Sequence, residues 1–457
     1  MTSAVNLIGI SANQIVYLEG ADRTGLFDST DAVNQAVIRL GDRGGVIVFP
    51  AGFFRVQNLP LRSGLYYQGA GSGRVSGASG TYLTLPSSPS TAAMFVCAPD
   101  TNGDLYGAGV RDMYIAGGQN KATATIDCID ASAITGQCHQ LEMYNCWFDG
   151  WRRCYNGSSD DRSILAEGCH FWNSTEGMRI SNNHFKLTTW NDFRSCTYGL
   201  RGFITDAFIC NQQFVGCDIG IGNVVATSGI TACVISACTF FQSATTGLQL
   251  GVGNTVTGCQ FQPPQAGAPT LLTIQGSNNN ISGCLFTNGS SGTGVVTNGC
   301  ITFDCDSNPQ TIFGISITGC SFKQLNATVI YHLASAGSRD LVTCNFSGNT
   351  LIDPGKFYVR SGAFGTVFGW GINANTFRLE NTNIGAGVDL VAITSSNTVG
   401  NTYNSNVFYG LSGVVLRYAI GGDLTQSIVT GNYIRRSSGI DPAAAATAVI
   451  ANNNWQP

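Results

Sequence analysis

Residues 139–218 concentrate the side chains that could carry out chemistry. The stretch holds 16 of the 50 charged residues of the chain, three of its four histidines and four of its six tryptophans. These histidines and tryptophans are His139, His170, His184, Trp147, Trp151, Trp172 and Trp190. Paired carboxylates serve as acid and base in glycosidases, and Trp rings present flat apolar faces that suit sugar rings. The stretch therefore predicts a carbohydrate site, whereas residues 219–303 contain no Asp, Glu, Lys or Arg.

Four carboxylates in or beside this zone are candidates for the reacting groups. Glu167 and Asp192 are preferred, and Glu142 and Asp218 are held in reserve. In a hydrolase, one carboxylic acid protonates the leaving oxygen while the other attacks or activates water. A lyase needs a base beside a sugar uronate, with cations that neutralise it. The residues predicted to bind substrate or to serve a lyase are Trp147, Trp151, Trp172, Trp190, His170, Arg194, Arg152 and Arg153. The sequence leaves both reactions open.

A recurring four-residue pattern predicts the elements that must position these side chains. Each copy reads small residue, Cys or Asn, any residue, and large apolar residue, with spacings of 21 to 36 residues. The central residues are Cys146, Cys169, Cys196, Cys217, Cys238, Cys259, Cys284, Cys320, Asn349, Asn375, Asn406 and Asn432. Alternation within the pattern is the period-2 signature of a strand. The repeat predicts an all-β fold, a right-handed single-stranded parallel β-helix of about 12–13 coils.

Stacked coils would place the central residues in one internal column. Cys is small and readily buried, and Asn amides can hydrogen-bond along the axis of a stack. The 17 cysteines are odd in number and include no CxxC pair. We therefore interpret them as packing residues rather than as disulfides or zinc ligands, and we predict no metal site and no cofactor.

Residues at equal offsets from the central residue should then be neighbours on the outer wall. The shared offsets are −4 for Glu142 and Asp192, −2 for Glu167 and Arg194, and +1 for Trp147, His170 and Asp218. The first pair would lie ~10 Å apart along the axis, and the second pair would be close enough to form an ion pair. The competing interpretation is a solvated ladder of surface charges without catalytic function.

Residues 19–71 have a different organisation. Ser29 or Thr30 can cap a helix, and Gly44 and Gly45 would end it. Its apolar face would consist of Ala32, Val33, Ala36, Val37 and Leu40. A strand VIVF and a turn at Pro50-Ala51-Gly52 follow. A helix placed before the first coil would cover the open end of the solenoid.

The segment GADRTG…DSTDAVNQAV…GGVIVFPAGFFRV…LPLRSGLYYQGAG resembles the N-terminal signature of the pectate-lyase-like β-helix superfamily, which is common in bacteriophage tailspikes. The step ADRTGLFDSTD departs from the usual form of that signature. The resemblance implies that Asp22, Asp28 and Asp31 build the cap. It also implies side-by-side association of β-helices in a homotrimer, for which the charge-free stretch 219–303 is a candidate interface.

We accordingly expect three parts in the chain. These are a lead segment (1–18), an N-terminal cap with the first strands (19–70), and a parallel β-helix with a C-terminal end-plug near Trp455 (71–457). The short segment before the cap predicts either a trimmed chain or one anchored by another virion tail partner. The run at 71–80 lacks the Lys of a phosphate-binding loop.

The leading hypothesis is a tailspike-like protein that binds and cleaves a bacterial surface polysaccharide, either capsule or O-antigen. The alternatives are a non-catalytic receptor-binding or structural virion protein, and a free-standing bacterial polysaccharide lyase or epimerase. The net charge of −4 argues against nucleic-acid partners. The sequence contains no run of 18 apolar residues, so it predicts no membrane insertion. The N-terminal residues lack the pattern of a signal peptide. We expect a location in the virion tail, with secretion as the alternative.

Overall fold

The computed structural model describes residues 14–72, 80–180, 185–223, 229–263, 270–287, 299–305, 311–323, 328–333, 340–353, 356–361, 367–379, 391–393, 398–410, 420–422, 427–435 and 449–450. The chain divides into two compact units, unit 1 (Met1–Ile204) and unit 2 (Thr205–Pro457). His184, Trp455 and the predicted end-plug lie outside the described residues. The predicted boundaries at residues 18 and 70 stay a prediction.

The described part of unit 1 contains one α-helix, a short 3-10 helix (Gly41–Arg43) and twenty strands. In chain order they are β1 (Ile15–Tyr17), β2 (Thr24–Asp28), α1 (Thr30–Leu40), β3 (Gly45–Val48), β4 (Gly52–Arg55), β5 (Leu59–Leu61), β6 (Leu65–Gln68), β7 (Thr81–Thr84), β8 (Ala93–Cys97), β9 (Leu105–Arg111), β10 (Tyr114–Ala116), β11 (Asp127–Asp130), β12 (Cys138–Tyr144), β13 (Trp147–Asp149), β14 (Arg153–Asn156), β15 (Asp161–Glu167), β16 (His170–Trp172), β17 (Glu176–Ile180), β18 (Lys186–Leu187), β19 (Asn191–Arg194) and β20 (Tyr198–Gly202).

Helix α1 lies where the sequence predicts a helix, and Val33, Ala36 and Leu40 on its apolar face are buried. Ser29 is its N-cap residue but makes no capping hydrogen bond with its side chain. Asp28 Oδ1 instead accepts a hydrogen bond from the backbone N–H of Thr30 at 2.9 Å. The helix ends at Leu40, earlier than Gly44. Its role as a cap of the solenoid stays a prediction.

The strands of unit 1 stack into three parallel sheets. Sheet A has the order β1-β3-β6-β9-β12-β15, sheet B runs β2-β4-β7-β10-β13-β16-β19, and sheet C runs β5-β8-β11-β14-β17-β20. Because each strand pairs with the equivalent strand of the next coil, one coil contributes one strand to each sheet. This pairing is the architecture of a parallel β-helix.

Unit 2 repeats this architecture. Its described strands are β21 (Phe208–Cys210), β22 (Gln212–Val215), β23 (Ile219–Gly222), β24 (Val234–Ser236), β25 (Thr239–Phe241), β26 (Thr246–Leu250), β27 (Thr255–Thr257), β28 (Gln260–Gln262), β29 (Thr270–Ile274), β30 (Asn280–Ser282), β31 (Leu285–Thr287), β32 (Ile301–Asp304), β33 (Ile312–Thr318), β34 (Ser321–Lys323), β35 (Thr328–Leu333), β36 (Leu341–Ser347), β37 (Thr350–Ile352), β38 (Lys356–Ser361), β39 (Val367–Phe368), β40 (Gly371–Asn373), β41 (Thr376–Leu379), β42 (Val391–Ile393), β43 (Thr398–Val399), β44 (Thr402–Asn404), β45 (Val407–Gly410), β46 (Ile420–Gly422), β47 (Ile428–Thr430), β48 (Tyr433–Arg435) and β49 (Val449–Ile450).

Three long parallel stacks run through unit 2. Sheet D has the order β21-β24-β27-β30-β33-β36-β40-β44-β47-β49, sheet E runs β22-β25-β28-β31-β34-β37-β41-β45-β48, and sheet F runs β23-β26-β29-β32-β35-β38. Strand β39 pairs with β36 and β43, and β42 pairs with β46. Unit 2 is therefore also a parallel β-helix.

A column of large apolar side chains fills the interior of each unit. In sheet B of unit 1 it consists of Ile115, Phe148, Phe171 and Phe193. In sheet E of unit 2 it consists of Phe214, Phe240, Phe261, Phe286, Phe322, Leu351, Phe377, Phe408 and Ile434. Phe148 stacks on Phe171 with ring centroids 5.2 Å apart, and Phe171 on Phe193 at 4.7 Å. Fully burying each Phe stabilises the fold by about 1.5–3 kcal/mol.

The predicted Cys and Asn column is only partly right. It holds for Cys146 and Cys169 in unit 1 and for the eight central residues from Cys238 onwards in unit 2, each two positions before a member of the apolar column. It is wrong for Cys196 and Cys217. These two cysteines precede β20 and β23, which belong to sheets C and F. Asn191 takes the place next to Cys169, whose backbone N–H donates to Asn191 Oδ1 at 3.0 Å.

The Asn part of the column forms the amide ladder that the sequence predicts. Asn349, Asn375 and Asn406 each donate from Nδ2 to Oδ1 of the next Asn, at 3.1, 3.1 and 3.0 Å. The last acceptor is Asn432. Each backbone N–H in the row also donates to the amide oxygen of the next coil. The ladder therefore satisfies buried polar groups that the coil corners leave without sheet partners.

All 17 cysteines are free thiols, and all except the half-buried Cys210 are buried. Burial raises the pKa of the Cys169 thiol to about 12, which keeps it protonated and unreactive near neutral pH. Within the described ranges, no three His, Cys, Asp or Glu side chains are grouped in a way that could hold a metal ion. The same part of the chain has no helix long and apolar enough to cross a membrane.

Candidate functional site

The outer face of sheet B in unit 1 carries a continuous row of aromatic side chains, which we call the aromatic ladder. In register from strand to strand, it consists of Phe53, Tyr82, Tyr114, Trp147 and His170. Successive ring centroids lie 5.0, 4.7, 6.0 and 4.3 Å apart. Asp192 is the next residue in the row. Stacking at ~4.8 Å per strand makes the ladder about 20 Å long. Tyr114 is buried, whereas the rings on either side of it are exposed or half-buried and offer flat faces to sugar rings.

A second row lies two residues further along the same strands. It includes Asp149, Trp172 and Arg194. Asp149 accepts hydrogen bonds from Tyr114 Oη at 2.5 Å and from Asn173 Nδ2 at 2.9 Å. The two rows thus alternate aromatic, acidic and basic side chains on one face, because alternate residues of a strand point to the same side.

Four residues of these rows form what we call the Asp192 cluster: His170, Trp172, Asp192 and Arg194. Trp172 Nε1–H donates to Asp192 Oδ2 at 2.9 Å. His170 Nδ1 and Arg194 Nε lie 3.3 and 3.5 Å from the same oxygen. The Arg194 guanidinium also lies over the Trp172 ring, 4.9 Å from its centroid. The cluster places a carboxylate, an imidazole and a guanidinium beside a flat aromatic surface.

The Asp192 carboxylate is almost completely covered, with 2% of its side chain exposed. Removing a carboxylate from water is costly unless cations and hydrogen-bond donors compensate it. Oδ2 has such partners, but Oδ1 is buried and accepts no hydrogen bond from any described residue. An unused buried acceptor calls for an explanation such as a catalytic role or a bound water. Among the four carboxylates that the sequence singles out, Asp192 is therefore the one whose environment departs most from that of a surface residue, because Glu142 and Asp218 are partly exposed and Glu167 is exposed.

His170 is oriented by its contacts on three sides. Its ring stacks on Trp147 at 4.3 Å with an interplanar angle of 20°, and it meets Trp190 edge-on at 5.4 Å. Nδ1 faces the Asp192 carboxylate at 3.3 Å, and this contact turns Nε2 to the other side of the ring. Trp190 is 46% exposed and forms the solvent side of this contact.

Glu167 lies beside the Asp192 cluster but in a different sheet. It is the last residue of β15 in sheet A and is exposed, three residues before His170. The predicted ion pair between Glu167 and Arg194 is wrong, because the register places Arg194 opposite Trp172 and its guanidinium contacts Asp192. Three residues span at most ~11 Å of chain, so Glu167 stays near the corner between sheets A and B.

The two reserve carboxylates do not join this site. Glu142 belongs to β12 of sheet A and forms an ion pair with Arg111. It does not share a column with Asp192, so the predicted ~10 Å axial spacing is wrong. Asp218 belongs to unit 2 and precedes β23 of sheet F, so its predicted column with His170 is also wrong. Both errors follow from counting offsets from Cys196 and Cys217, which lie at other corners.

Trp151 is not available to a substrate. Its side chain is fully buried, and Nε1–H donates to the carbonyl oxygen of Ile115 at 3.1 Å. The prediction that it stacks on sugar is wrong, because its position falls at the corner after sheet B, where the ring packs inwards. His139 stacks on Tyr106 in sheet A with ring centroids 5.3 Å apart.

Arg152 also has a different environment from the one expected. Its guanidinium forms two hydrogen bonds with the buried carboxylate of Asp127, both at 2.7 Å. Asp127, Asp149 and Glu176 are acidic residues of this zone or its border that the sequence analysis did not single out. Alignment on the inner apolar column, instead of on the Cys pattern, would have placed Asp149 and Asp192 on one face.

Tyr82 and Tyr114 extend the aromatic ladder below the zone that the sequence singles out. Burial, with a smaller contribution from the negative charge of Asp149, raises the pKa of Tyr82 above its ordinary value. The phenol therefore stays neutral and can act as a hydrogen-bond donor to a hydroxylated ligand.

No protein-family model matches the chain, and no curated protein matches it. Solved structures do match. A double mutant of the tailspike protein of E. coli bacteriophage HK620 has a TM-score of 0.51 and 11% identity, covering 97% of this chain and 80% of that chain. A mutant of the same tailspike in complex with a pentasaccharide has a TM-score of 0.51 and 12% identity, covering 95% and 77%.

The catalytic unit of the GH87 α-1,3-glucanase from Streptomyces thermodiastaticus also matches, with a TM-score of 0.45 and 14% identity over 98% of this chain and 69% of that chain. The two tailspike structures confirm the predicted fold class, a parallel β-helix of the kind found in phage tailspikes. At these identities the similarity establishes the fold alone.

Proposed function

We propose that this protein binds a polysaccharide along the aromatic ladder of unit 1 and cleaves it at the Asp192 cluster. The observation that carries the proposal is the geometry of sheet B, in which a row of aromatic rings about 20 Å long ends at a buried carboxylate, an imidazole and a guanidinium. Sugar rings stack on such faces, and the polar residues at the end of the row supply the groups that bond cleavage requires.

In a hydrolytic reaction, Asp192 would act as one of the two carboxyl groups and Glu167 as the other. Asp192 Oδ1 is the oxygen without a hydrogen bond from the described residues, and Glu167 is exposed at the neighbouring corner. One group would protonate the glycosidic oxygen, and the other would attack the sugar or activate water. In this version His170 and Arg194 orient the Asp192 carboxylate through their contacts with Oδ2.

In an eliminative reaction, His170 would act as the base. Its Nδ1 is held by Asp192, so Nε2 can remove the proton beside a uronate carboxyl group. Arg194, which lies over Trp172, would neutralise the uronate. The two versions share Asp192, His170 and Arg194 in different roles, only hydrolysis needs Glu167, and the products differ.

A second candidate function is binding without cleavage. The observation that favours it is the coverage of Asp192, whose side chain is 2% exposed. A carboxylate with three partners on one oxygen can serve to lock Trp172, His170 and Arg194 in place for recognition. The ladder would then be a receptor-binding surface.

We also propose that the polysaccharide belongs to a bacterial surface, either capsule or O-antigen, and that the protein acts in a virion tail as a homotrimer. The pentasaccharide bound to the HK620 tailspike mutant supports an oligosaccharide ligand for a parallel β-helix of this type. Light scattering of the purified chain tests the trimer, since a monomeric mass contradicts it.

The test of cleavage is incubation with panels of capsular and O-antigen polysaccharides, with two readouts. New reducing ends alone indicate hydrolysis, and reducing ends with the ultraviolet absorbance of unsaturated uronates indicate elimination. We expect Asp192→Asn to lower turnover by about 100-fold or more, the range of general acid–base catalysis. Glu167→Gln should do so in hydrolysis alone. Asp160→Asn is the matched control, because Asp160 is paired with Arg162 on sheet A.

Trp172→Phe separates the indole N–H from the ring. It keeps the flat face but removes the hydrogen bond to Asp192, so we expect turnover to fall while affinity for oligosaccharides is retained. Trp147→Ala should instead weaken oligosaccharide binding, by about tenfold. Equal turnover in Asp192→Asn and Asp160→Asn would refute the assignment of the active site. Binding in the absence of either product would favour the recognition function.

A further inference from the structure

Sheet C of unit 1 holds a buried carboxylate bound by two arginines. Asp127 is fully buried, and its carboxylate accepts hydrogen bonds from Nε and Nη2 of Arg152 at 2.7 and 2.7 Å. The same carboxylate accepts from Nε and Nη2 of Arg153 at 3.0 and 2.7 Å. These four bonds use all the acceptor positions of a carboxylate. One guanidinium is enough to neutralise the charge, so the second leaves a positive charge in excess.

Strand β17, the next but one to β11 in sheet C, carries a similar arrangement. Glu176 is buried, and its carboxylate accepts from Nε and Nη2 of Arg179 at 2.7 and 2.6 Å. Arg201 Nη1 also donates to this carboxylate, at 2.8 Å. Arg153 on β14 is the register partner of Glu176, and β14 lies between the strands that carry Asp127 and Glu176, so these two acids lie two strand spacings, ~10 Å, apart.

These six residues, which we call the arginine cluster, have an excess of positive charge. A further acid on the strand of Asp127 is Asp130, which accepts a hydrogen bond from Asn156 Nδ2 at 2.7 Å. Including Asp130, three carboxylates face four guanidinium groups. This local excess of positive charge stands out because the whole chain has a net charge of −4 and residues 219–303 contain no Asp, Glu, Lys or Arg.

The guanidinium groups keep donors that no described residue uses. Arg152, Arg153 and Arg179 bind their carboxylates through Nε and Nη2, so Nη1 of each has no hydrogen bond within the described residues. Arg201 binds through Nη1, and its Nε is buried without a partner. Arg152 and Arg179 are accessible, with 39% and 30% of their side chains exposed. Guanidinium donors fixed by buried acids form a preorganised site for an oxyanion.

We propose that the arginine cluster is a second ligand site, which binds an anionic substituent of a sugar chain. The shared chemistry is an oxyanion that accepts paired N–H donors, namely a uronate carboxylate or a sulfate ester. Arg201 lies over the ring of Tyr198, with 4.3 Å from its Cζ to the ring centroid. This contact supplies a flat apolar face beside the cationic groups, as a substituted sugar ring requires. The buried acids orient the arginines rather than cancel them.

The test measures binding of three oligosaccharides of about ten sugars by titration calorimetry. A hyaluronan oligosaccharide carries carboxylates, a heparin oligosaccharide carries sulfates as well, and a maltooligosaccharide is neutral. The variants are Arg179→Gln and Arg152→Gln, each of which leaves one arginine on its buried carboxylate and so preserves the fold, as circular dichroism and melting would verify. Arg162→Gln is the matched control, because Arg162 is exposed and paired with Asp160.

We expect the wild-type protein to bind at least one anionic oligosaccharide more tightly than the neutral one, with an affinity that falls as salt rises. Arg179→Gln and Arg152→Gln should each weaken that binding by about 10-fold to 100-fold, and Arg162→Gln should leave it unchanged. No preference for either anionic oligosaccharide, or equal affinity in Arg179→Gln and wild type, would overturn the proposal. The calorimetry reads binding at the arginine cluster and the cleavage assay reads turnover at the Asp192 cluster, so the two proposals can fail separately.

Discussion

Removing one amide from the Asn ladder tests the internal column on which the fold depends. The change is Asn375→Ala in unit 2. The Asn375 side chain donates to the carbonyl oxygen of Phe346 at 2.8 Å and to Asn406 Oδ1 at 3.1 Å. Its Oδ1 accepts from the backbone N–H and from Nδ2 of Asn349, at 2.9 and 3.1 Å.

The expected cost follows from the groups left without partners. Asn349 Nδ2 keeps a second acceptor, the Ile317 carbonyl, and Asn406 Oδ1 still accepts from the backbone N–H of residue 375. The Asn349 backbone N–H loses its acceptor, and the Phe346 carbonyl oxygen loses the donor that the Asn375 side chain supplied. Each buried group left unsatisfied costs about 1–3 kcal/mol, so the free energy of unfolding should fall by about 2–6 kcal/mol.

The assay is urea denaturation followed by circular dichroism, with Asn373→Ala as the control. Asn373 is the same residue type two positions earlier, at the outer end of β40, and its side chain accepts a single hydrogen bond from the Asn404 backbone at 3.2 Å. We expect the control to cost about 1 kcal/mol or less. Equal costs for the two variants, at an unchanged dependence on urea, would refute the role of the amide column.

Three further changes test other parts of unit 1. Burial raises the pKa of Asp161 to about 6. The folded state therefore holds the proton of this carboxyl group more tightly than the unfolded chain does. The bound proton contributes fully to stability below the ordinary pKa of 3.8, and this contribution is lost as the pH rises through 6. Denaturation at pH 4 and pH 8 should therefore show Asp161→Asn gaining about 3 kcal/mol relative to wild type at the higher pH, and a constant difference would contradict the buried carboxyl. Trp151→Ala should lower the unfolding free energy by about 3–5 kcal/mol, whereas Trp190→Ala should weaken oligosaccharide binding at unchanged stability; the reverse outcome in melting and titration experiments would exchange their roles. Asp127→Ala leaves two arginines without their buried anion and should destabilise by about 3–5 kcal/mol in denaturation experiments, and a neutral result would mean that the pair is solvated.

Much of the fold was predictable because each coil of a solenoid is encoded by a short, contiguous stretch of sequence. Each coil needs a corner, a small buried residue and an inward apolar side chain. The positions of Cys259 and Phe261 in their coil can therefore be predicted from the local residue pattern alone. Helix α1 is predicted in the same way by the spacing of its apolar residues. The column of Trp147 and His170 was also predictable, since the two side chains do stack in register.

The neighbours of the candidate catalytic groups were not predictable from offsets. The tetrapeptide of small residue, Cys, any residue and apolar residue occurs at two kinds of corner, before sheet B at Cys169 and before sheet C at Cys196. Both corners have a small buried Cys followed two positions later by a large residue, so the residue types do not tell the inward Phe171 from the half-exposed Tyr198. The register pairs Phe171 with Phe193, and this places Asp192 against His170 instead of in line with Glu142.

The amino-acid sequence by itself determined the β-helix, the Asn amide column and the stretch in which charged and aromatic side chains concentrate, because each depends on residue types that are read locally. Only the tertiary structure decided that Asp192, and not Glu142, joins His170, and that Asp127 and Glu176 each hold two arginines. Except for the pair of Glu176 and Arg179 within one strand, these contacts form between coils more than 20 residues apart in sequence, where the hydrogen-bond register of parallel strands sets which side chains meet.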